Sequence, residues 1–187
     1  MSTGKNLAEA SNRSVFAARK TSTSTLEVCI FISHISIDKM YAIEIAKYIM
    51  AAGYDVYIDI KDDELQQAVR DGNPYKVTEC IEEGISGCSH LLCLVSNATV
   101  NSWWVPYEIG FGKKGNKQIA TLTIKDTNNI PDYLKVTQLL RGTRSLNNYL
   151  LNIKKNYGLL KYSSGDVAIM SESTKNHPLD TYLNWNQ

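Results

Sequence analysis

Four short strand-like stretches punctuate this chain, the first of them apolar without alternation, and segments of helical spacing or polar loop separate them. Residues 26–33 (LEVCIFIS), 54–60 (YDVYIDI), 90–96 (HLLCLVS) and 118–124 (QIATLTI) are short and rich in β-branched or large apolar side chains. All four predict strands, and the unbroken first run predicts one covered on both faces. Between the first two, residues 38–51 place Met40, Ile43, Ala46, Tyr48 and Ile49 at helical spacing. Ser36 is a candidate N-cap there, Asp38 lies near the positive helix end, and Gly53 is the stop. After the second strand an acidic cluster, Asp59, Asp62, Asp63 and Glu64, precedes one helical turn in ELQQAV. The loop from Arg70 to Pro74 follows, and residues 75–86 resume a helical period through Val77, Cys80, Ile81 and Ile85. Residues 97–112 begin as a polar loop and turn helical, with a stop at Gly112 to Gly115. Pro131 breaks the chain, residues 133–136 suggest a short edge strand, and residues 143–155 carry Leu146, Leu150, Leu151 and Ile153 on one helical face.

Strands alternating with helices predict an α/β protein: a flavodoxin-like parallel sheet of four to five strands, order 2-1-3-4-5, with helices on both faces. That order has its switch point between the first and third strands. The loops at residues 33–36 and 97–102 should therefore line one crevice, with Glu108 beside it. Trp104 and Glu108 are four residues apart and project from one helical face. Proline is tolerated only in a helix's first turn, so Pro106 places the helix start near Ser102 or Trp103. Glu108 would then lie near the positive helix end, which is expected to depress its pKa and keep it ionised. Trp103 and Trp104 cannot share a face, so one is expected in the core and the other at the crevice or a subunit contact. Flanking this unit, residues 1–25 form a Ser/Thr/Ala-rich arm and linker, expected to be a partly ordered tail, and residues 156–187 form an extension without regular pattern. The domain proper is expected at 26–155.

Twenty basic residues against nineteen acidic give a net charge of +1, so no electrostatic footprint for nucleic acid or a membrane surface is present. No apolar run reaches the ~18 residues of a membrane span, and the amino-terminal segment lacks a signal-peptide core. A cytoplasmic location is expected, with Cys29, Cys80, Cys88 and Cys93 reduced and buried. His90 and Cys93 would point to opposite faces of a strand, which argues against a zinc site, and the acidic cluster is read as solvated carboxylates rather than a magnesium site. A phosphoreceiver would need an acidic pair after the first strand and an aspartate after the third. Ser33-His34 and Ser96-Asn97 stand there instead. The first loop holds no glycine for a dinucleotide fingerprint, and no GxSxG elbow is present.

Three segments resemble a known family. VCIFISH (residues 28–34), followed by Asp38, resembles the opening box of Toll/interleukin-1 receptor (TIR) domains, and YDVYID (54–59) their second strand. SWWVPYEIG (102–110) is similar to the S-x-W-x-x-x-E segment of enzymatic members, especially bacterial ones. The resemblance spans about residues 26–151. RDGNP (70–74) resembles the second box of animal TIR domains, but Tyr75 stands where they have glycine, which puts that loop's role in self-association in doubt.

The resemblance implies cleavage of the nicotinamide–ribose bond of NAD, used as substrate and not as cofactor. Glu108 would be the catalytic residue, with Phe31, Ser33, His34, Asp59, Lys61, Trp103 and Trp104 binding substrate and no metal. The chemistry agrees. Glycosidases need two carboxylates because a neutral leaving group must be protonated while the sugar cation is stabilised. Nicotinamide in NAD already carries its positive charge before it leaves, so one carboxylate suffices to stabilise the ribosyl cation or attack it. Resemblance to stand-alone bacterial members further implies anti-phage signalling through ADP-ribose or a cyclic isomer. Self-association with other TIR domains and a separate effector sensing the product are implied with it. Two other readings fit the residues: a non-catalytic TIR adaptor or effector mimic, and a nucleoside deoxyribosyltransferase-like enzyme with Glu108 as nucleophile. Each residue also has a structural role available: Glu108 complementing the helix dipole, His34 satisfying backbone groups, Ser33 forming a turn.

Overall fold

All five strands run parallel, in the order β2-β1-β3-β4-β5. A computed structural model describes residues 3–21, 28–157 and 177–185. The strands are β1 (Cys29–Ser33), β2 (Asp55–Tyr57), β3 (His90–Val95), β4 (Gln118–Thr123) and β5 (Gln138–Leu140). Among the described residues seven α-helices accompany them: α1 (Arg13–Thr21), α2 (Lys39–Ala51), α3 (Asp63–Arg70), α4 (Pro74–Ser86), α5 (Trp104–Lys114), α6 (Asp132–Lys135) and α7 (Thr143–Asn156).

Side-chain alternation along the strands divides the core in two. Ile30, Ile32, Val56, Leu92, Leu94 and Leu122 pack with α2 and α7. Cys29, Phe31, Tyr57, Leu91, Cys93 and Val95 pack with α4 and α5. Because both faces are covered, the central strands are buried at every position, which is why their sequences are continuous rather than alternating. His90 and Cys93 point to opposite sides, as the strand reading requires.

The expected edge strand at 133–136 is instead α6, and the fifth strand lies further on, at Gln138–Leu140. Pro131, at φ −54°, is set up to start a helical turn, and the turn buries Leu134 alone. β2 is also shorter than expected. Asp59–Lys61 form a 3-10 turn, and Asp62 caps α3 by accepting from the Glu64 and Leu65 N–H groups (3.0 and 3.1 Å). That buried Asp62 also accepts from the Tyr57 hydroxyl. The acidic cluster is thus partly a helix cap and its first turn.

The amino-terminal arm, expected as a partly ordered tail, docks on the domain through its described residues. Leu7 N–H donates to Val56 O (2.8 Å) and Val56 N–H to Lys5 O (2.9 Å), extending the ladder past the edge strand β2. Gly4 N–H reaches Met50 O (2.8 Å), and a Cβ on Gly4 would lie 1.8 Å from Tyr54 O, so only glycine fits. Arg13 on α1 pairs with Glu64. An exposed edge strand is a liability for unwanted pairing, and the arm covers it. Residues 22–27 of the expected linker and first strand, and residues 158–176 of the carboxy-terminal extension, lie outside the described residues. Residues 177–185 return to the α2–α7 face, where Leu179 and Leu183 are buried and Thr143 N–H donates to Asn184 O (2.8 Å). No helix among the described residues is long and apolar enough to cross a membrane.

Buried Asn6 holds the arm: its Oδ1 accepts from Ala8 N–H and Ile58 N–H, each at 3.2 Å. Asn6→Ala leaves both donors without it, and denaturant unfolding should show a loss of about 1–3 kcal/mol. An unchanged midpoint would mean that the arm contributes nothing to the fold.

Candidate functional site

Ser33 is the last residue of β1 and sits opposite Cys93 of β3, at the switch point of the sheet. Its side chain faces the α4–α5 layer, like Cys29 and Phe31 four and two residues earlier. From that layer α5 presents Val105, Glu108, Ile109 and Gly112 inward, an i, i+3, i+4, i+7 stripe with a carboxylate as its second member. Ser102 accepts from Val105 N–H (3.1 Å) at the helix start. Glu108 is 4% exposed, and the Ser33 hydroxyl donates to its Oε2. The hydroxyl also lies 3.9 Å from Cys93 Sγ.

Glu108 does not have the depressed pKa expected from the sequence. Burial pushes it up to about 8, the Ser33 hydrogen bond pulling the other way and the charge of Asp59 adding to the rise. The helix starts at Trp104, so Glu108 stands in the second turn, where the dipole's influence has largely faded. Desolvation of the carboxylate therefore wins.

Three further groups crowd this end of the sheet. The His34 ring is buried, with Nδ1 3.3 Å from Ile32 O and 3.8 Å from Asp59 Oδ1. That Asp59 oxygen is sealed from solvent and has no hydrogen-bond partner among the described residues. Burial raises the Asp59 pKa and His34 opposes the rise. Asp38, beyond the β1 loop, is also buried; burial raises its pKa, and Ser96 and His34 lower it. The crevice thus gathers carboxyl groups from three loops or helices around one imidazole. It would stabilise a cationic centre rather than an anionic one.

Ser33, His34, Asp59 and Glu108 are brought together. Phe31 lies beneath them in the core, 1% exposed and stacked on Tyr57 (5.6 Å between centroids, 12°). Lys61 is exposed at the end of its 3-10 turn. Neither tryptophan is in the core: Trp103 is 91% and Trp104 42% exposed, and the core position of that segment is Val105. Trp104 meets Tyr107 edge-on (6.1 Å, 87°), Tyr107 stacks on Phe111, and the Tyr107 hydroxyl donates to Glu82 of α4.

Sequence reasoning missed Tyr133. Its hydroxyl is buried without a hydrogen-bond partner among the described residues, and burial, Cys93 and Glu108 together push its pKa up to about 12. Reading residues 133–136 as a strand hid it; the Pro131 turn was the available signal.

An open parallel sheet with a buried carboxylate at its switch point defines the class of protein, and sequence comparison gives the family. The family model described as TIR domain matches residues 30–149. The chain belongs to the TIR domain family. It is also similar to a protein named "Probable 3' cyclic ADP-D-ribose synthase ThsB'" of Bacillus cereus (strain MSX-D12), with 27% identity over 95 residues. That match covers 51% of this chain and 48% of the relative, so the chain spans about half the length of the curated relative it matches.

The raised pKa has a consequence for stability. Between about pH 4.5 and 8 the unfolded chain has released the Glu108 proton while the folded chain retains it, so this group makes stability fall as pH rises. Glu108→Gln removes that dependence and keeps an acceptor for Ser33. Denaturant unfolding should show the variant gaining on wild type from pH 5 to pH 8, by on the order of a few kcal/mol. A difference that is constant with pH would contradict the raised pKa.

Proposed function

We propose that this chain cleaves the nicotinamide–ribose bond of NAD, with Glu108 as its single catalytic carboxylate. The observation that carries the reading is the buried Glu108, held by the Ser33 hydroxyl at the switch point and surrounded by further carboxyl groups rather than by cations. Family membership and the printed name of the Bacillus relative support it.

The geometry suits this bond. The pyridinium ring of NAD leaves as neutral nicotinamide, taking the electron pair of the C–N bond, so no proton need be supplied to it. What must be stabilised is the positive charge on the ribosyl carbon, and a carboxylate does this best from a dry site. Glu108 holds its proton at neutral pH in the free protein. A pyridinium cation entering the crevice favours the ionised form, so substrate binding draws the proton off and creates the carboxylate where it is needed. Ser33 then orients that carboxylate with one hydrogen bond, and His34 and Asp59 form the wall toward β2. Capture of the ribosyl cation by water gives ADP-ribose. Capture by a nucleophile within the same molecule gives a cyclic isomer, the outcome the relative's name favours.

A cyclic product implies a messenger, and with it signalling in antiviral defence through a separate effector protein. A cytoplasmic setting, where NAD is abundant, belongs to the same proposal. Self-association is part of it too: Val100 and Trp103, in the connection after β3, and Val136, at the end of α6, are large apolar side chains exposed at 48, 91 and 77%.

Purified protein incubated with NAD, at high concentration to favour assembly, should release nicotinamide, and chromatography should resolve linear from cyclic ADP-ribose. Glu108→Gln should lower turnover by about 100-fold or more while retaining the fold. Full activity in that variant would overturn the assignment. Turnover of nucleosides but not of NAD would favour a deoxyribosyltransferase-like enzyme instead.

The pH profile supplies a second check. Since kcat/KM reports the free enzyme, it should rise with pH through an apparent pKa near 8. Ser33→Ala removes the hydrogen bond that holds this value down, so its rising limb should move to higher pH. A shift to lower pH would be inconsistent with Ser33 donating to the carboxylate.

A further inference from the structure

At the opposite edge of the sheet from Glu108, a cavity of about 310 Å³ opens between the starts of β3, β4 and β5 and the last turns of α7. Its rim carries four carboxamides, Gln118, Gln138, Asn152 and Asn156, all on exposed residues. Its floor is buried His90, Tyr149 and Ile153, with Tyr157 at the side. His90 and Gln118 are register partners at the first positions of β3 and β4, and Gln138 pairs with Ala120. The site is therefore built on the amino ends of the strands, whereas Ser33 stands at a carboxyl end.

Three features of this cavity mark it as more than a surface dent. The first is the Tyr149 hydroxyl, which is sealed from solvent and has no hydrogen-bond partner among the described residues, although the residue is only 5% exposed. The second is charge. Among the described residues that line it none carries one, since burial pulls the His90 pKa down to about 4 and keeps its ring neutral at physiological pH. The neighbouring cations are directed elsewhere: Lys117 donates to Ser86 O and Cys88 O (2.8 and 2.6 Å), and Lys154 lies over the Tyr54 ring (5.9 Å). The third is the aromatic walls. The His90 ring lies 6.2 Å from Tyr149, edge-on at 77°, and 5.7 Å from Tyr157, tilted at 55°.

A neutral site of carboxamides, a phenol and aromatic rings has no use for a phosphate or a carboxylate. Each carboxamide offers an acceptor and two donors in one plane, the pattern that matches the edge of adenine. Aromatic walls suit the faces of a flat ring. The volume is at the small end of ligand sites, enough for one base or nucleoside and not for a dinucleotide. We propose that this cavity is a second ligand site, separate from the Glu108 crevice, that binds the adenine base of an uncharged nucleoside.

The test is calorimetric titration of the full chain with adenosine. One adenosine per chain should bind saturably, and neither uridine nor inorganic phosphate should displace it. Gln138→Leu combined with Asn152→Leu, both exposed and so tolerable to the fold, should weaken binding by about tenfold or more. Glu108→Gln should leave adenosine affinity unchanged. The proposal is overturned if no saturable binding appears, if the carboxamide variants bind like wild type, or if Glu108→Gln abolishes binding, which would place adenosine in the crevice instead.

Discussion

The structure depends on one unfavourable arrangement: a glutamate placed on the apolar stripe of a core helix. Glu108 shares its inward face with Val105, Ile109 and Gly112. Taking a carboxylate out of water is costly, and one hydrogen bond from Ser33 does not offset it, so the side chain takes the alternative open to it and keeps its proton. Asp59 and Asp38 stand in the same condition, each raised by burial and each opposed by His34. A crevice so arranged stores an electrostatic demand for positive charge. The fold tolerates it because both sides of the sheet behind it are well packed.

The parallel topology is what makes the arrangement possible. β1 and β3 lie side by side but send their chains on to opposite faces, to α2 and α5, so the backbone parts at their carboxyl ends and leaves a gap. Ser33, in register with Cys93, points into the gap from the sheet side, and Glu108 enters it from the helix side. The same parallel register places His90, Gln118 and Gln138 at the far edge, where the polar cavity opens. One sheet thus carries an acidic crevice at one end and an uncharged one at the other.

Much of this was legible in the sequence. Continuous apolar runs gave the buried strands, and alternation with helices gave the parallel order and its switch point. Ser33 and His34 could be placed because they end a strand, and Glu108 because it follows the third strand at helical spacing. What depended on tertiary contact was not legible. The protonation of Glu108 is set by burial, which the position of Pro106 did not reveal. Asp59 was expected at the site, but its approach to His34 comes from the pairing of β2 with β1. Tyr133 was hidden because a run of four residues after a proline fits a strand or a helical turn equally well. The arm was read as a tail because its composition is that of one, yet Gly4 and Asn6 fit single positions beside β2. The exposed tryptophans went the other way: one of the two was expected in the core, and Val105 fills that place instead.

The central claim is that the crevice holds a protonated glutamic acid that a cationic ligand ionises. Carbon-13 NMR of glutamate labelled at the side-chain carboxyl, with Glu108→Gln to assign the resonance, measures it directly. The account predicts that Glu108 titrates near pH 8 in the free protein and at clearly lower pH when an unreactive pyridinium dinucleotide is bound. A Glu108 titration in the ordinary carboxylate range in the free protein, or one that the bound cation leaves unmoved, would contradict it.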